Sequence, residues 1–362
     1  MDRDQIERCV KVFVFSAFEL NGVVVRPTDG DDGTHDMGIG LYATAGKASH
    51  SCQPNCLWLP DQQGRRVVRT LTAVAEGEEL CIDYLGEGWD LLPVHQRRAE
   101  LRHWEFMCGC PRCAAHGDDT RRFPCMEATC RGHHLAHQPT AEDQLELTAC
   151  SVCGTHASPS HTSRMLRQEV DQMQEVAEIR GLVDSGASVD VRPRIMRLQP
   201  PHPHHQLAAE AAHLQRLMYR QTGQWEEAAR AFSAWIECRE AIIRFPSLLT
   251  ARLFERRGDT LMRASRTVGA GAGERRGSLL AQAEEAYRHA EQGWLVTCGP
   301  SHPSTTIVAA KLAKMATVTQ ELTPGQSNGK AEGRVGVGVL RLLLRPSRQS
   351  CRSSNSREAG AM

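Results

Sequence analysis

Three cysteines within six residues, Cys108-Gly109-Cys110-Pro111-Arg112-Cys113, constrain this chain more than any other feature. A structural zinc ion takes four sulfur or nitrogen ligands in a tetrahedron, with thiolates at about 2.3 Å. Cys110-x2-Cys113 folds two side chains onto one point from a single tight turn, and Cys108 adds a third ligand. The fourth must come from elsewhere, and Cys52 in His50-Ser51-Cys52-Gln53-Pro54-Asn55 is the candidate. Such a site would pin residues 108–113 against residues 50–55. Further along, Cys125-x4-Cys130 and Cys150-x2-Cys153, nineteen residues apart, have the spacing of a zinc ribbon or a similar closed site. Gly132 and Gly154 relax the turns after each pair, and His133, His134, His137 and His156 are near enough to substitute as ligands.

Ten of the fourteen cysteines fall between Cys52 and Cys153. A secreted disulfide scaffold would be small and carry a signal, whereas this chain has 362 residues and opens on Met1-Asp2-Arg3-Asp4. Metal binding in a reducing compartment, cytoplasm or nucleus, is the better reading. Lys+Arg and Asp+Glu are both 43, a neutral balance that argues against a sequence-independent grip on nucleic acid. No stretch approaches the ~20 apolar residues that cross a bilayer.

Residues 5–21 read as a helix running into a short strand or turn, and residues 26–37, with Pro27, Gly30, Gly33 and several aspartates, as a loop. From Gly38 to Tyr84 the pattern is of short β pieces, clearest at Val67–Leu71 and Leu80–Tyr84. A helix is expected over 93–105, with Pro93 suited to its first turn, and another over 164–179. Leu198–His205 is Pro/His-rich and reads as a linker. Helices follow over 206–221, 224–245, 248–266, 278–298 and 304–319, with a flexible loop at Gly269–Gly277. Gly223-Gln224-Trp225-Glu226-Glu227-Ala228 and the small residues Ala283, Ala286 and Ala290 around Tyr287 suit close-packed helix pairs of tetratricopeptide type, or an ordinary bundle. Residues 321–362 are Gly/Ser/Arg-rich and expected to be disordered.

Four motifs occur in a telling order: Gly38-Ile39-Gly40-Leu41-Tyr42, Ser49-His50-Ser51-Cys52-Gln53-Pro54-Asn55-Cys56, Glu76-Gly77-Glu78-Glu79-Leu80-Cys81-Ile82-Asp83-Tyr84 and Phe106-Met107-Cys108-Gly109-Cys110-Pro111-Arg112-Cys113. Together they resemble the SET- and MYND-domain (SMYD) family of protein-lysine methyltransferases, and Thr297–Pro303 is similar to part of that family's helical domain. The resemblance implies an α+β chain: a β-rich partial SET fold with a post-SET zinc site over 1–115, then an all-α, TPR-like domain over 206–320. Residues 116–160 form the second cysteine-rich segment between them, followed by helix and linker over 161–205. By that resemblance the sequence starts partway through the fold, without the family's amino-terminal glycine turn and MYND module.

The same resemblance implies S-adenosylmethionine as methyl donor, a lysine-bearing protein or peptide as acceptor, and further protein partners for the helical domain. Carried over by position, Ser49, His50 and Phe106 would contact the cofactor, Tyr84 would be catalytic at the mouth of the lysine channel, and Trp104 and Phe18 would line that channel. Cys52, Cys108, Cys110 and Cys113 match the post-SET ligands. Ser49 stands where the family usually has Asn, so it offers one donor where the amide offers two. The chemistry requires the amine in line behind an already activated methyl group, at roughly 3–3.5 Å. It also requires loss of a proton that lysine in water holds up to about pKa 10.4, which a dry aromatic channel makes easier. A tyrosine hydroxyl can orient the amine through its lone pairs. The competing reading is a catalytically inactive, zinc-stabilised interaction scaffold derived from the same family.

Overall fold

The computed structural model describes residues 17–23, 34–41, 45–60, 65–137, 146–186, 189–269 and 272–321, with the backbone path alone in the first two stretches. Strand β1 (Ala17–Val23) pairs antiparallel with β2 (Thr34–Leu41). Residues 34–37, expected in a loop, therefore belong to a strand, and residues 17–21 form the strand into which the segment 5–21 is expected to run. β3 (Ser49–His50) runs parallel to β6 (Cys81–Ile82), and β4 (Cys56–Pro60) pairs antiparallel with β5 (Arg66–Thr70). The expected strand over Leu80–Tyr84 shrinks to two residues because its partner is only two residues long. Beyond it, the Asp83 carboxylate accepts the Leu85 N–H at 3.0 Å and turns the chain away.

Helix α1 (Val94–Leu101) begins just after Pro93. It tightens into a 3₁₀ turn at Arg102–Trp104 and stops at Glu105, whose φ of 57° no helix continues. A single helical turn, α2 (Pro111–Ala114), carries the last cysteine of the first cluster. The hairpin of β7 (Gly117–Pro124) and β8 (His133–His137) follows, then the long helix α3 (Pro159–Asp184), capped by the Ser158 hydroxyl, and the short α4 (Arg192–Met196). The Pro/His-rich segment before the next helix is packed, not a free connector. His205 is fully buried, accepts the Leu207 N–H on Nδ1 at 3.1 Å, and bonds the Glu169 carboxylate through Nε2 at 3.2 Å.

Five helices complete the described chain: α5 (Gln206–Gln221), α6 (Trp225–Ile242), α7 (Leu248–Thr267), α8 (Gly273–Cys298) and α9 (Pro303–Glu321). Consecutive members pack against each other. Ala283, Tyr287, Ala290 and Trp294 bury one face of α8 against Ala251, Leu261 and Ala264 of α7. Helix α8 starts at Gly273, inside the expected loop, and the Arg275 guanidinium reaches Glu226 of α6 at 2.8 Å. At its far end Gly299, with φ 90°, closes the helix by donating to the Trp294 and Leu295 carbonyls. Residues 321–362, apart from Glu321, lie outside the described residues, as do residues 5–16 of the expected first helix.

The helices join the β-rich part through a buried ion pair. Arg239 of α6 grips the Asp90 carboxylate at 2.9 and 2.6 Å, beside an apolar contact of Leu91 with Cys238, Ile242 and Ile243.

Candidate active site and its cysteine cluster

The site begins with a peptide crossing that Asn55 clamps. Its amide donates to the Glu79 carbonyl at 2.8 Å and accepts the Cys81 N–H at 2.8 Å. Ser51 N–H adds a bond to the Ile82 carbonyl at 3.0 Å. Residues 49–55 and 79–84 are thereby locked side by side. Both ends of one side-chain amide stand in for a backbone rung.

That lock brings His50 against Tyr84. The imidazole is fully buried, and its Nδ1 accepts the Tyr84 N–H at 3.1 Å. Nδ1 therefore carries no proton, the ring proton sits on Nε2, and Nε2 lies 3.2 Å from Cys52 Sγ. Ring centroids of His50 lie 5.3 Å from Tyr84 and 5.9 Å from Phe106, and Tyr84 lies 5.8 Å from Trp104. Tyr84, Trp104 and Phe106 pack on Cys52, Cys108 and Cys113 together with Val94 and Leu101.

Among the described residues, a cleft of about 630 Å³ opens above this cluster, lined by Ser49, His50, Glu79, Tyr84, Trp104 and Phe106. Its volume is in the range of small-molecule sites. The Ser49 hydroxyl donates to the Glu79 carboxylate, so toward the cleft it can only accept. The Tyr84 hydroxyl donates to the Ala48 carbonyl, leaving its oxygen lone pairs for an incoming group. Burial, with Cys81 and Glu79 nearby, raises the Tyr84 pKa above its ordinary value, so the phenol stays neutral and is no base. Burial also pushes Asp83 up to about 6, against the pull of the Leu85 N–H. Phe18 lies on β1 opposite Gly40, and its side chain is outside the described residues.

Beneath the cleft, the Sγ atoms of Cys52, Cys108, Cys110 and Cys113 lie within 4.8 Å of one another. Cys52 Sγ is 3.5 Å from that of Cys113 and 4.0 Å from that of Cys108. A disulfide would hold two sulfurs at about 2.05 Å. The edge of a tetrahedron with 2.3 Å zinc–sulfur bonds is about 3.8 Å, so these four can hold a zinc ion with small adjustments. The electrostatics agree with that donor set. Arg97 is fully buried, and its guanidinium donates to the Leu92 carbonyl and to Cys113 Sγ, the latter at 3.7 Å. Burial works against its charge, but Cys113, Asp118 and Cys52 outweigh that cost and raise its pKa. A buried cation facing four sulfurs is balanced when those sulfurs are thiolates around a dication, a group of net charge −2. Neither Arg97 nor Asn55 was identifiable as a site residue in the sequence. Asn55 stands within the His50–Asn55 motif, and Arg97 has no signal beyond its place on a short helix.

Cys125, Cys130, Cys150 and Cys153 form a separate group, also within 4.8 Å of one another. Among the described residues no histidine joins them. His134 is buried with Nδ1 on the Thr148 carbonyl, and His133 faces the Ser151 hydroxyl.

Residues 21–85, which carry the clamp, His50 and Tyr84, match the SET domain family. Over 84 residues the chain is 37% identical to the protein-lysine N-trimethyltransferase SMYD5 of Gallus gallus, covering 23% of this chain and 20% of that protein. Over 85 residues it is 34% identical to the histone-lysine N-methyltransferase SMYD3 of Mus musculus, covering 23% and 19%. Over 114 residues it is 27% identical to the histone-lysine N-methyltransferase Smyd1 of Mus musculus, covering 28% and 22%. The chain spans about a fifth of the length of the curated relatives it matches. Over these matched residues the chain is similar to SMYD-type SET-domain methyltransferases.

Proposed function

We propose that the cleft binds S-adenosylmethionine and that the chain transfers its methyl group to a lysine of a protein or peptide. The observation that carries this reading is the convergence of His50, Tyr84, Trp104 and Phe106 around one cleft, seated on a four-cysteine cluster. Phe106 would lie on the adenine face, and Ser49 and His50 would border the donor. The donor brings an activated methyl group, so the protein needs no nucleophile of its own.

What the residues supply is alignment and a dry wall. The Tyr84 hydroxyl donates to the Ala48 carbonyl and so presents acceptor lone pairs to a lysine amine. The Trp104 and Tyr84 rings exclude water and favour the neutral amine over the ammonium. The carboxylate of Glu79 attracts a cationic side chain toward the cleft. A zinc ion on Cys52, Cys108, Cys110 and Cys113 would fix the floor, and His50 would pass that fixity to the Tyr84 backbone. The paired helices α5–α9 support a TPR-like role in gripping the protein substrate or other partners. Among the described residues no helix is long and apolar enough to cross a membrane. A reducing compartment, cytoplasm or nucleus, would keep the thiolates available to metal.

The test is calorimetry of S-adenosylmethionine against zinc-loaded whole chain, with labelled-methyl transfer to histones and to lysine peptide arrays. Tyr84→Phe should cut turnover about a hundredfold while leaving cofactor affinity within a few-fold. Absence of cofactor binding by metal-loaded protein sinks the reading and leaves the inactive scaffold.

A further inference from the structure

Four cysteines have no part in the chemistry above. Cys125 and Cys130 belong to the turn between β7 and β8, and Cys150 and Cys153 to the turn that follows Leu147. Sγ of Cys125 lies 3.6 Å from that of Cys153, and Sγ of Cys130 lies 3.7 Å from that of Cys150. These are the edges of a tetrahedron with zinc–sulfur bonds of about 2.3 Å, not disulfide lengths.

The surrounding backbone is shaped to stabilise thiolates. The Glu127 N–H donates to Cys125 Sγ at 3.5 Å and the Gly132 N–H to Cys130 Sγ at 3.3 Å, each two residues beyond its sulfur. The Thr155 hydroxyl lies 3.4 Å from Cys153 Sγ. A Cβ at Gly132 would sit 2.4 Å from Cys150 Sγ, so only glycine lets the second pair close under the first turn. Gly154, at φ 73°, turns the chain back just after Cys153.

The two turns are tied by a backbone bond from Ser151 N–H to the His133 carbonyl at 2.9 Å, and the bond from Cys125 N–H to the Gly132 carbonyl at 3.1 Å closes the first turn. What they hold is a junction. Phe123, Ala136 and Leu147 pack on Met165 of α3, and Arg121 of β7 bonds Glu169 of α3.

We propose that Cys125, Cys130, Cys150 and Cys153 hold a second, structural zinc ion that pins the Cys150–Thr155 turn beneath the β7–β8 hairpin and orders the start of α3. The site differs from the first in exposure. Cys153 is exposed and Cys125 and Cys130 are half-buried, whereas Cys52, Cys108 and Cys113 are buried. The second ion is therefore the first to leave. This inference does not depend on methyl transfer, since it concerns metal at these sulfurs alone.

The experiment counts zinc by native mass spectrometry in reduced whole chain, wild type beside Cys150→Ser/Cys153→Ser and Cys108→Ser/Cys110→Ser. Two ions in wild type and one in each double variant are expected. A chromophoric chelator added to wild type should release zinc in two phases, the faster coinciding with new tryptic cleavage at exposed Arg131. One ion in wild type that is lost only in Cys150→Ser/Cys153→Ser supports this site and sinks the first one instead. A single ion that survives that variant, or a wild type whose whole zinc content leaves without new cleavage at Arg131, overturns the proposal. If the serine variant fails to fold, the wild-type count and the chelator phases still decide.

Discussion

Replacing Arg97 by methionine tests the charge assigned to the cysteine cluster. Four thiolates around one zinc ion carry −2, and the guanidinium lies 3.7 Å from the nearest sulfur, so about 6 Å from the metal. At an effective dielectric of about 20 that attraction is about 5 kcal/mol. Zinc binding requires all four thiols to lose their protons, and the guanidinium favours that charged state, so the difference falls on zinc affinity. Local relaxation reduces it to about 3 kcal/mol, which is roughly a hundredfold weaker binding. Methionine fills similar space in the same core of Val94, Leu101 and the cysteines, so packing changes little. Arg97→Lys keeps the charge and should lose less than tenfold. The assay is competition between protein and a chromophoric chelator of known affinity, corrected for the second site with Cys150→Ser/Cys153→Ser as background. Equal affinity for wild type and Arg97→Met would mean the cluster has no excess negative charge, and the four-thiolate reading would fall with it.

Two further expectations concern stability. Burial raises the Glu169 pKa while Arg121 and His205 lower it more, leaving it at about 2 against an ordinary 4.5. Because the folded value is depressed, the contribution is complete above pH 4.5 and disappears as pH falls toward 2; at about 2.5 pH units it is worth about 3 kcal/mol. Glu169→Gln should therefore be less stable than wild type at pH 7 by about that much in denaturant titrations, with the gap closing through that window; a gap that stays constant with pH refutes the linkage. Gly258 on α7 faces Tyr287 so closely that an added Cβ would lie 2.6 Å from the ring. Gly258→Ala should cost about 1–3 kcal/mol and lower the melting temperature by several degrees despite alanine's better helix propensity. An unchanged or higher melting temperature by circular dichroism would contradict the packing.

The cysteine sets were legible because the constraint is local: two sulfurs three residues apart fold onto one point whatever surrounds them. The same holds for α5, which stops where Gly223 takes a φ of 70° that side chains resist. Tertiary partners decided the rest. Leu80–Tyr84 has strand character throughout, but a strand is only as long as the partner it pairs with, and β3 ends at His50. The Pro/His-rich segment looked like a connector because its composition gives no hint that His205 would meet a glutamate from a helix more than thirty residues earlier. Asn55 is one polar residue in a loop until the peptides of Glu79 and Cys81 lie opposite it. His50 was singled out by its neighbours, but its tautomer follows only from the Tyr84 N–H it accepts.

Equal totals of 43 acidic and 43 basic residues conceal where three of the arginines go. Arg97 faces the first cysteine cluster, Arg121 bonds Glu169, and Arg239 bonds Asp90, all three guanidinium groups within the core. Each pair joins segments that apolar packing alone would leave free to slide: the floor of the cleft, the hairpin on α3, and the β-rich part on α6. Burying an ion pair adds little net stability, because desolvation offsets most of the attraction, yet a mispaired buried charge costs several kcal/mol. The consequence is that wrong arrangements are penalised more than the right one is rewarded. If the cleft of Tyr84, Trp104 and Phe106 binds a lysine as proposed, it needs that kind of specification, since aromatic rings pack acceptably in several registers but would align an amine in only one.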